Sequence, residues 1–371
     1  MKKCVVTIVN KEYLGFLEKF LYFYKKNSSF DLIVYTVNLN LENETPGNIK
    51  YITYFDEALA AYESGRPNDY IKSDVDKYKY TTALKPKILN SSLLLDYDCF
   101  LYLDADCIIT PSFNDFYQSF NAIKNQYPLC PILKDDFMVY DGIGNPFVEN
   151  TFNEKKILGN DLLNYFGVEY KKFAYRHTFA FFYNKKCNSF FAEAVSILSN
   201  KELFKEYKKF FPLLDETVFN FLLCKSNAHE CLGVFPILDF NLNFLDLDGF
   251  KNFARKDEIA CFHAKFSQTD ETPYLQLESV YNKDFSSVVY SKCFIKDGFF
   301  VFDFTVGKDL EASLLVVDNY GNFLHRGELQ FYIPGLFYFI SCAFVKKSNI
   351  QLIFLDRRGI IIDLINETLS R

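Results

Sequence analysis

The run Cys99-Phe100-Leu101-Tyr102-Leu103 is apolar, has the length of one strand, and stops abruptly at Asp104-Ala105-Asp106. An unbroken apolar run of this length reads as a strand buried on both faces. Side chains repeat every second residue along a strand, so the two carboxylates at its end point the same way. Two such charges repel each other strongly unless something positive sits between them. A divalent cation with oxygen ligands answers that need, and Mg²⁺ or Mn²⁺ keeps coordination places open for phosphate oxygens. Three other Asp-X-Asp triplets occur, Asp74-Val75-Asp76, Asp96-Tyr97-Asp98 and Asp246-Leu247-Asp248, and none follows an unbroken apolar run that could be a fully buried strand. The first two read as solvated loop acids.

The sequence before the run predicts a parallel sheet. Residues 5–9 read as a buried strand, residues 10–13 as a polar loop, and residues 14–26 as a helix with Leu14, Leu17, Phe20, Leu21 and Tyr24 at helical spacing. That helix ends in Lys25-Lys26, as the negative end of its dipole favours. Residues 32–37 form a second strand, and the strand–helix–strand order predicts an α/β architecture. Ligands in such sheets bind at the carboxyl ends of the strands, which places Asn10 to Tyr13 and the Asp104 pair on one rim. Residues 82–95 read as mostly helical, with Pro86 tolerable near the first turn. Residues 213–223 read as a helix whose first turn carries Asp215 and Glu216. Residues 258–263 form a short strand ending in His263. From residue 294 onward, short apolar or alternating segments separated by turn residues predict a small antiparallel β-sandwich. The expected organisation is a catalytic domain over residues 1–270, a polar linker over 271–290, and an accessory sandwich over 291–371.

Bulk properties bound the function. With 371 residues, 49% hydrophobic and 24% charged, the chain has room for one large domain and a smaller one. A net charge of -6 argues against non-specific nucleic-acid binding. The ten cysteines include no Cys-X-X-Cys pair and sit mostly in apolar runs. They read as small buried hydrophobes in a reducing compartment rather than as disulfides or zinc ligands. The first nine residues hold an apolar core too short for a signal peptide, and no apolar stretch reaches the about eighteen residues of a membrane span. A cytoplasmic enzyme is the expectation.

Four segments together resemble the GT-A nucleotide-sugar glycosyltransferases, and most nearly glycosyltransferase family 8. Tyr102-Leu103-Asp104-Ala105-Asp106-Cys107 is similar to the family's metal motif, and Ala83-Leu84-Lys85-Pro86-Lys87-Ile88-Leu89 to the segment upstream of it. Leu214-Asp215-Glu216-Thr217-Val218-Phe219-Asn220 resembles the acceptor-side helix start, and Cys261-Phe262-His263-Ala264-Lys265-Phe266 the place of a late histidine. The resemblance covers about residues 1–270. It departs at Arg176-His177-Thr178-Phe179-Ala180, where the family has a small-residue turn carrying Asn, and at Glu216 and Thr217, where Gln and a second acid are usual.

The resemblance implies a GT-A (Rossmann-like) domain with a mixed sheet, and a metal site of Asp104, Asp106 and His263 for Mn²⁺ or Mg²⁺. It also implies donor contacts from Asn10, Tyr13, Lys85, Asp104 and Lys265. Asp215 and Glu216 become the catalytic candidates, as general base or as stabilisers of an oxocarbenium-like centre. His177 is placed near the acceptor and Arg176 near phosphate or acceptor, while His229 and His325 read as surface or structural. The implied partners are a nucleoside-diphosphate sugar donor and a glycan or glycolipid acceptor, such as a bacterial capsule or lipooligosaccharide. Peripheral membrane association and a homodimer through the C-terminal domain are compatible with this reading. Two other classes stand beside it: a phosphohydrolase with Asp104 as nucleophile and Asp106 as acid, and a catalytically inactive glycan-binding or scaffold protein.

Overall fold

The computed structural model describes residues 1–41, 47–67, 70–120, 126–129, 138–140, 146–150, 155–158, 177–200, 215–226, 237–239, 259–263, 274–275, 288–296, 299–306, 308–318, 323–334, 336, 338–343, 350–355, 357 and 361–367. They fall in two compact units, Met1–Ile109 with Phe113–Leu238, and Thr110–Ser112 with Asp239–Arg371.

The first unit opens with β1 (Lys3–Val9), a short 3-10 turn (Lys11–Tyr13), α1 (Leu14–Asn27), β2 (Asp31–Val37), β3 (Ile49–Tyr54) and α2 (Glu57–Glu63). It continues through α3 (Asp74–Ala83), α4 (Lys85–Ser92), β4 (Cys99–Leu103), β5 (Cys107–Ile109) and α5 (Phe113–Ser119). After β6 (Met138–Tyr140), β7 (Pro146–Asn150) and β8 (Lys155–Leu158) come β9 (Ala180–Tyr183), α6 (Asn188–Leu198), α7 (Asp215–Lys225) and β10 (Ile237–Asp239). The central sheet runs β3-β2-β1-β4-β9. Its first four strands are parallel, and β9 is antiparallel to β4. All five residues of β4 are buried, as the apolar run required. One core cluster joins β1 (Cys4, Val6), β4 (Phe100, Tyr102) and β9 (Phe181, Tyr183) to α4, α6 and α7 through Ile88, Phe191 and Phe219. The Phe100 and Tyr183 rings stack 4.9 Å apart across the β4–β9 pair.

Residues 82–95 are mostly helical, as expected, but in two pieces. α3 ends at Ala83 and α4 starts at Lys85, with Pro86 in its first turn. Pro86 has no N–H to donate to residue 82, so continuous helical bonding fails there. Asp74 and Asp76 are not loop acids but the first turn of α3, whose N-cap Ser73 accepts from the Asp76 N–H.

In the second unit, β11 (Cys261–His263) precedes two antiparallel sheets. One is β12 (Val288–Lys296), β13 (Phe299–Val306) and β16 (Tyr338–Ala343), with β13 central. The other has the order β15 (Phe323–Tyr332), β14 (Leu310–Asp318), β17 (Ile350–Leu355) and β18 (Ile361–Glu367). Phe302 and Phe304 of the first sheet share a core with Leu314, Val316, Tyr332 and Phe354 of the second, so the expected sandwich is present. Gly327 sits in a bulge of β15, where a Cβ would come within 3.3 Å of the Leu314 carbonyl. Among the described residues no helix is long and apolar enough to cross a membrane. Cys4, Cys99, Cys107, Cys187 and Cys261 are buried free thiols.

Lys3 shows how β1 is fixed beneath the site. It is only 9% exposed, and its ammonium donates to the carbonyls of Tyr117 (2.5 Å), Gln118 (3.0 Å) and Phe120 (2.7 Å), at the end of α5. A cation there satisfies carbonyls that have no partner within the helix. Burial lowers its pKa below the ordinary lysine value. Lys3→Met is expected to cost about 2 kcal/mol by leaving these carbonyls unbonded, a melting-temperature fall of roughly 4–8 °C. Lys2, whose ion pair with Asp96 is exposed, serves as the control. Lys2→Met should change stability by less than about 0.5 kcal/mol, and equal falls for the two variants would contradict this account.

Candidate active site

The site grows from the carboxyl end of β4. Tyr102 and Asp104 lie two residues apart and so share a side, and the Tyr102 hydroxyl donates to Asp104 Oδ1. The same oxygen lies 3.3 Å from Lys85 Nζ, at the first position of α4. Lys85 also reaches Asp215 Oδ2 at 2.9 Å, at the start of α7, and donates to the Thr178 carbonyl at 3.5 Å. Its ammonium stands 4.8 Å from the centre of the Tyr102 ring. Asp215 is buried and Lys85 nearly so, with side-chain exposures of 4% and 12%, while Asp104 is half-buried. Lys85 is thus a cation bridging two of the candidate acids.

Burial and charge compete at this bridge. Burial alone would lower the Lys85 pKa, but Asp104 and then Asp215 more than offset it, and the result lies well above the ordinary lysine value. Asp215 is raised to about 6, first by burial, with Lys85 pulling it back and Asp104 and Glu216 adding to the rise. The Tyr102 hydroxyl is pushed well up, by burial first and then by Asp104.

Glu216 takes separate partners. Its Oε2 accepts from the Thr178 backbone N–H at 3.2 Å and lies 3.5 Å from His177 Nδ1. His177 is buried, and its ring packs 5.3 Å from that of Phe179. The Phe179 carbonyl in turn accepts from the Asp104 N–H at 2.7 Å. Three consecutive residues leading into β9 therefore touch Glu216, Lys85 and Asp104.

The proposed nucleotide contacts lie at the end of β1. Asn10 is 8% exposed, and among the described residues its side-chain oxygen has no hydrogen-bond partner. Tyr13 is half-buried; its hydroxyl is raised above the ordinary tyrosine value by burial first, then by Tyr78, Asp104 and Asp106, which places it in the field of both acids. Tyr78, on α3, was not singled out by the sequence. Its ring is 48% exposed, yet its hydroxyl is raised by loss of water first, then by Asp215 and Asp104. Lys77, next to it, pairs with Glu12 and with Glu63 at 3.1 Å, tying α3 to the turn after β1 and to α2. Lys265, Arg176 and His229 lie outside the described residues. His325, on β15, is half-buried, and burial lowers its pKa.

Asp104 and Asp106 follow the buried strand β4 in the first unit, and His263 ends β11 in the second. Two carboxylates at one strand end suit Mg²⁺ or Mn²⁺. The pair of acids therefore fits a divalent cation.

Lys85→Met, a chain of similar length without the charge, leaves Asp215 buried with no cation. Its carboxyl then rises further. A carboxyl whose folded pKa exceeds its unfolded value contributes stability at low pH that is lost as pH climbs through the folded pKa. The variant should accordingly be less stable by about 3–5 kcal/mol near pH 8, with a deficit that narrows toward pH 5. Thermal melts from pH 5 to 8, without added divalent ions, measure this. A deficit that does not change with pH would contradict the pairing.

No family model matches the chain, and no curated protein matches it. Comparison with solved structures matches glycosyltransferases. One is an active-site mutant of LgtC, 13% identical, covering 71% of this chain and 88% of that one with a TM-score of 0.43. Another is galactosyltransferase LgtC in complex with donor and acceptor sugar analogs, 14% identical over 71% of this chain and 87% of that one, TM-score 0.39. A third is the apo form of the bifunctional glycosyltransferase WbbM, 13% identical over 72% of this chain and 46% of that one, TM-score 0.42.

Proposed function

We propose that the chain is a metal-dependent glycosyltransferase that moves a sugar from a nucleoside diphosphate to a hydroxyl of a glycan or glycolipid. The observation that carries the reading is the pair of carboxylates, Asp104 and Asp106, that follows the fully buried strand β4. The Lys85–Asp215 pair is joined to the same Asp104. In this reading Asp104, Asp106 and His263 hold the ion, and Asn10 and Tyr13 face the nucleoside. A divalent ion bound there supplies positive charge to the departing diphosphate. Lys265, two residues past His263, is proposed to add a second positive charge to the phosphates.

The reaction asks little covalent chemistry of the protein. The acceptor oxygen bonds to the anomeric carbon, the bond from that carbon to the phosphate oxygen breaks, and its electron pair leaves on the diphosphate. Asp215 and Glu216 lie at the start of α7, where acids complement the helix dipole. They are the groups proposed to face the sugar and the acceptor hydroxyl, receiving its proton or stabilising positive charge at the anomeric carbon. Asp104 Oδ1 already accepts from Tyr102 and Lys85, which suits a carboxylate that holds rather than one that attacks phosphorus. This favours transfer over the phosphohydrolase reading.

Asp106→Ala is expected to abolish Mn²⁺-dependent binding of nucleoside diphosphates and to lower turnover at least about 100-fold, while the fold persists. Calorimetric titration of uridine, guanosine, adenosine and thymidine diphosphates, with Mn²⁺ and with chelator, reads the first effect. Unaltered Mn²⁺-dependent affinity in the variant would refute the metal site.

A further inference from the structure

The second unit carries an apolar surface that the proposed reaction does not use. Leu329, Phe331, Ile333 and Leu336 are large, apolar and exposed, at 38%, 68%, 52% and 52%. They fall within eight residues, and among the described residues no other stretch of that length gathers as many. Tyr332 stands between Phe331 and Ile333 and is fully buried in the sandwich core. Strand alternation therefore turns Leu329 and Phe331, on β15, away from that core. None of the four belongs to it.

The exposed area is that of an interface. At about 200 Å² per large side chain, these exposures leave on the order of 400 Å² of apolar surface in water. Monomers rarely carry a larger patch. A standard protein interface covers about 800 Å² on each partner, and roughly 60% of that is apolar. The four side chains come close to the apolar share that one partner must supply.

Charge selects the occupant. Glu311 lies opposite Phe331 in the β14–β15 register and accepts from Arg357 Nε at 3.2 Å. Arg326 and Glu328 are exposed on β15 itself. The surroundings thus hold two charges of each sign. An anionic membrane surface or a nucleic acid selects for an excess of positive charge. A two-fold copy of the chain presents the same mixed set turned around, so that each sign can meet its opposite. Strand geometry selects the mode. β15 is an edge strand of its sheet, but it carries a bulge at Gly327 and is followed by Pro334, which has no N–H to give. Both blunt an edge against open-ended strand addition. Side-chain packing across a two-fold axis, which closes after two copies, is the contact that remains.

We infer that Leu329, Phe331, Ile333 and Leu336 form the apolar centre of a two-fold interface with a second copy of this chain. The inference stands apart from the transferase reading, and its test needs no nucleotide.

Sedimentation velocity of the full chain, at concentrations from about 1 to 50 μM, should reveal a species of twice the 43.4 kDa of one chain. Phe331→Asp and Ile333→Asp should each weaken the association at least about 100-fold. Leu94→Asp, at a residue 88% exposed in the first unit, should leave it within about twofold. Thermal melts at concentrations where every protein is a single chain should agree within about 2 °C, which excludes unfolding as the cause. The wild-type melting temperature should rise with concentration, and that of Phe331→Asp should not. A wild type of single-chain mass at the highest concentration would overturn the inference, as would a dimer that persists in both aspartate variants of the patch. A monomeric wild type that floats with phosphatidylglycerol vesicles, while Phe331→Asp does not, would overturn it in favour of a membrane contact.

Discussion

The buried ammonium of Lys85 is the interaction on which the rest of the first unit's rim depends. Taking a lysine out of water costs several kcal/mol, and the cost is repaid only where geometry is good and every N–H finds an acceptor. Here the acceptors are Asp104 at 3.3 Å and the Thr178 carbonyl at 3.5 Å, with Asp215 as an ion-pair partner at 2.9 Å and the Tyr102 ring face at 4.8 Å. A compact ammonium has three donors that can diverge toward three separate elements, whereas a planar guanidinium would direct its donors into one plane. The pair partners come from the end of β4 and the start of α7, so the charge closes a ring of structure that no run of local contacts would close.

The placement of β9 explains why one short peptide can serve all of these groups. The strands on the other side of β4 run parallel to it, and β9 runs opposite. An antiparallel neighbour begins where the parallel strands end, so the residues entering β9 arrive at the rim where α/β sheets place ligands. His177, Thr178 and Phe179 are those residues. Their contacts with Glu216, Lys85 and Asp104 follow from strand direction as much as from side-chain choice. A parallel strand in the same slot would bring its end to this rim instead, and with it a different set of backbone donors.

Legibility in the sequence followed the range of the forces involved. β1, α1, β2 and β4 were readable because burial on both faces, or on one stripe, writes itself into local spacing. The match extends to within a residue or two at their ends. α3 was not readable, because Asp74-Val75-Asp76-Lys77-Tyr78 shows no apolar stripe; its signal was Ser73 with acids following, a capping pattern easily taken for a loop. Tyr102 was within reach, since period two places it beside Asp104. The bridge from Lys85 to Asp215 was not. Nothing within a window of the chain links two residues on separate helices, and an N-terminal lysine is by itself an unfavourable choice against the helix dipole. That mismatch, a cation where the dipole disfavours one, is the only local trace of its role.

Charge balance makes the same point from the other direction. Asp104, Asp106, Asp215 and Glu216 are four carboxylates, and Lys85 pairs with Asp104 and Asp215. Lys85 is already shared by two. Burial first raises the hydroxyls of Tyr13 and Tyr78, and the nearby acids, Asp104 and Asp106 among them, add to the rise. The field of these acids opposes any anionic ligand, since like charges a few ångströms apart in a half-buried place repel by several kcal/mol. A rim built this way is arranged for a positive charge first. The exposed ring of Tyr78 beside so many acids is consistent with that order, because an aromatic face tolerates both a cation and a stacked ring.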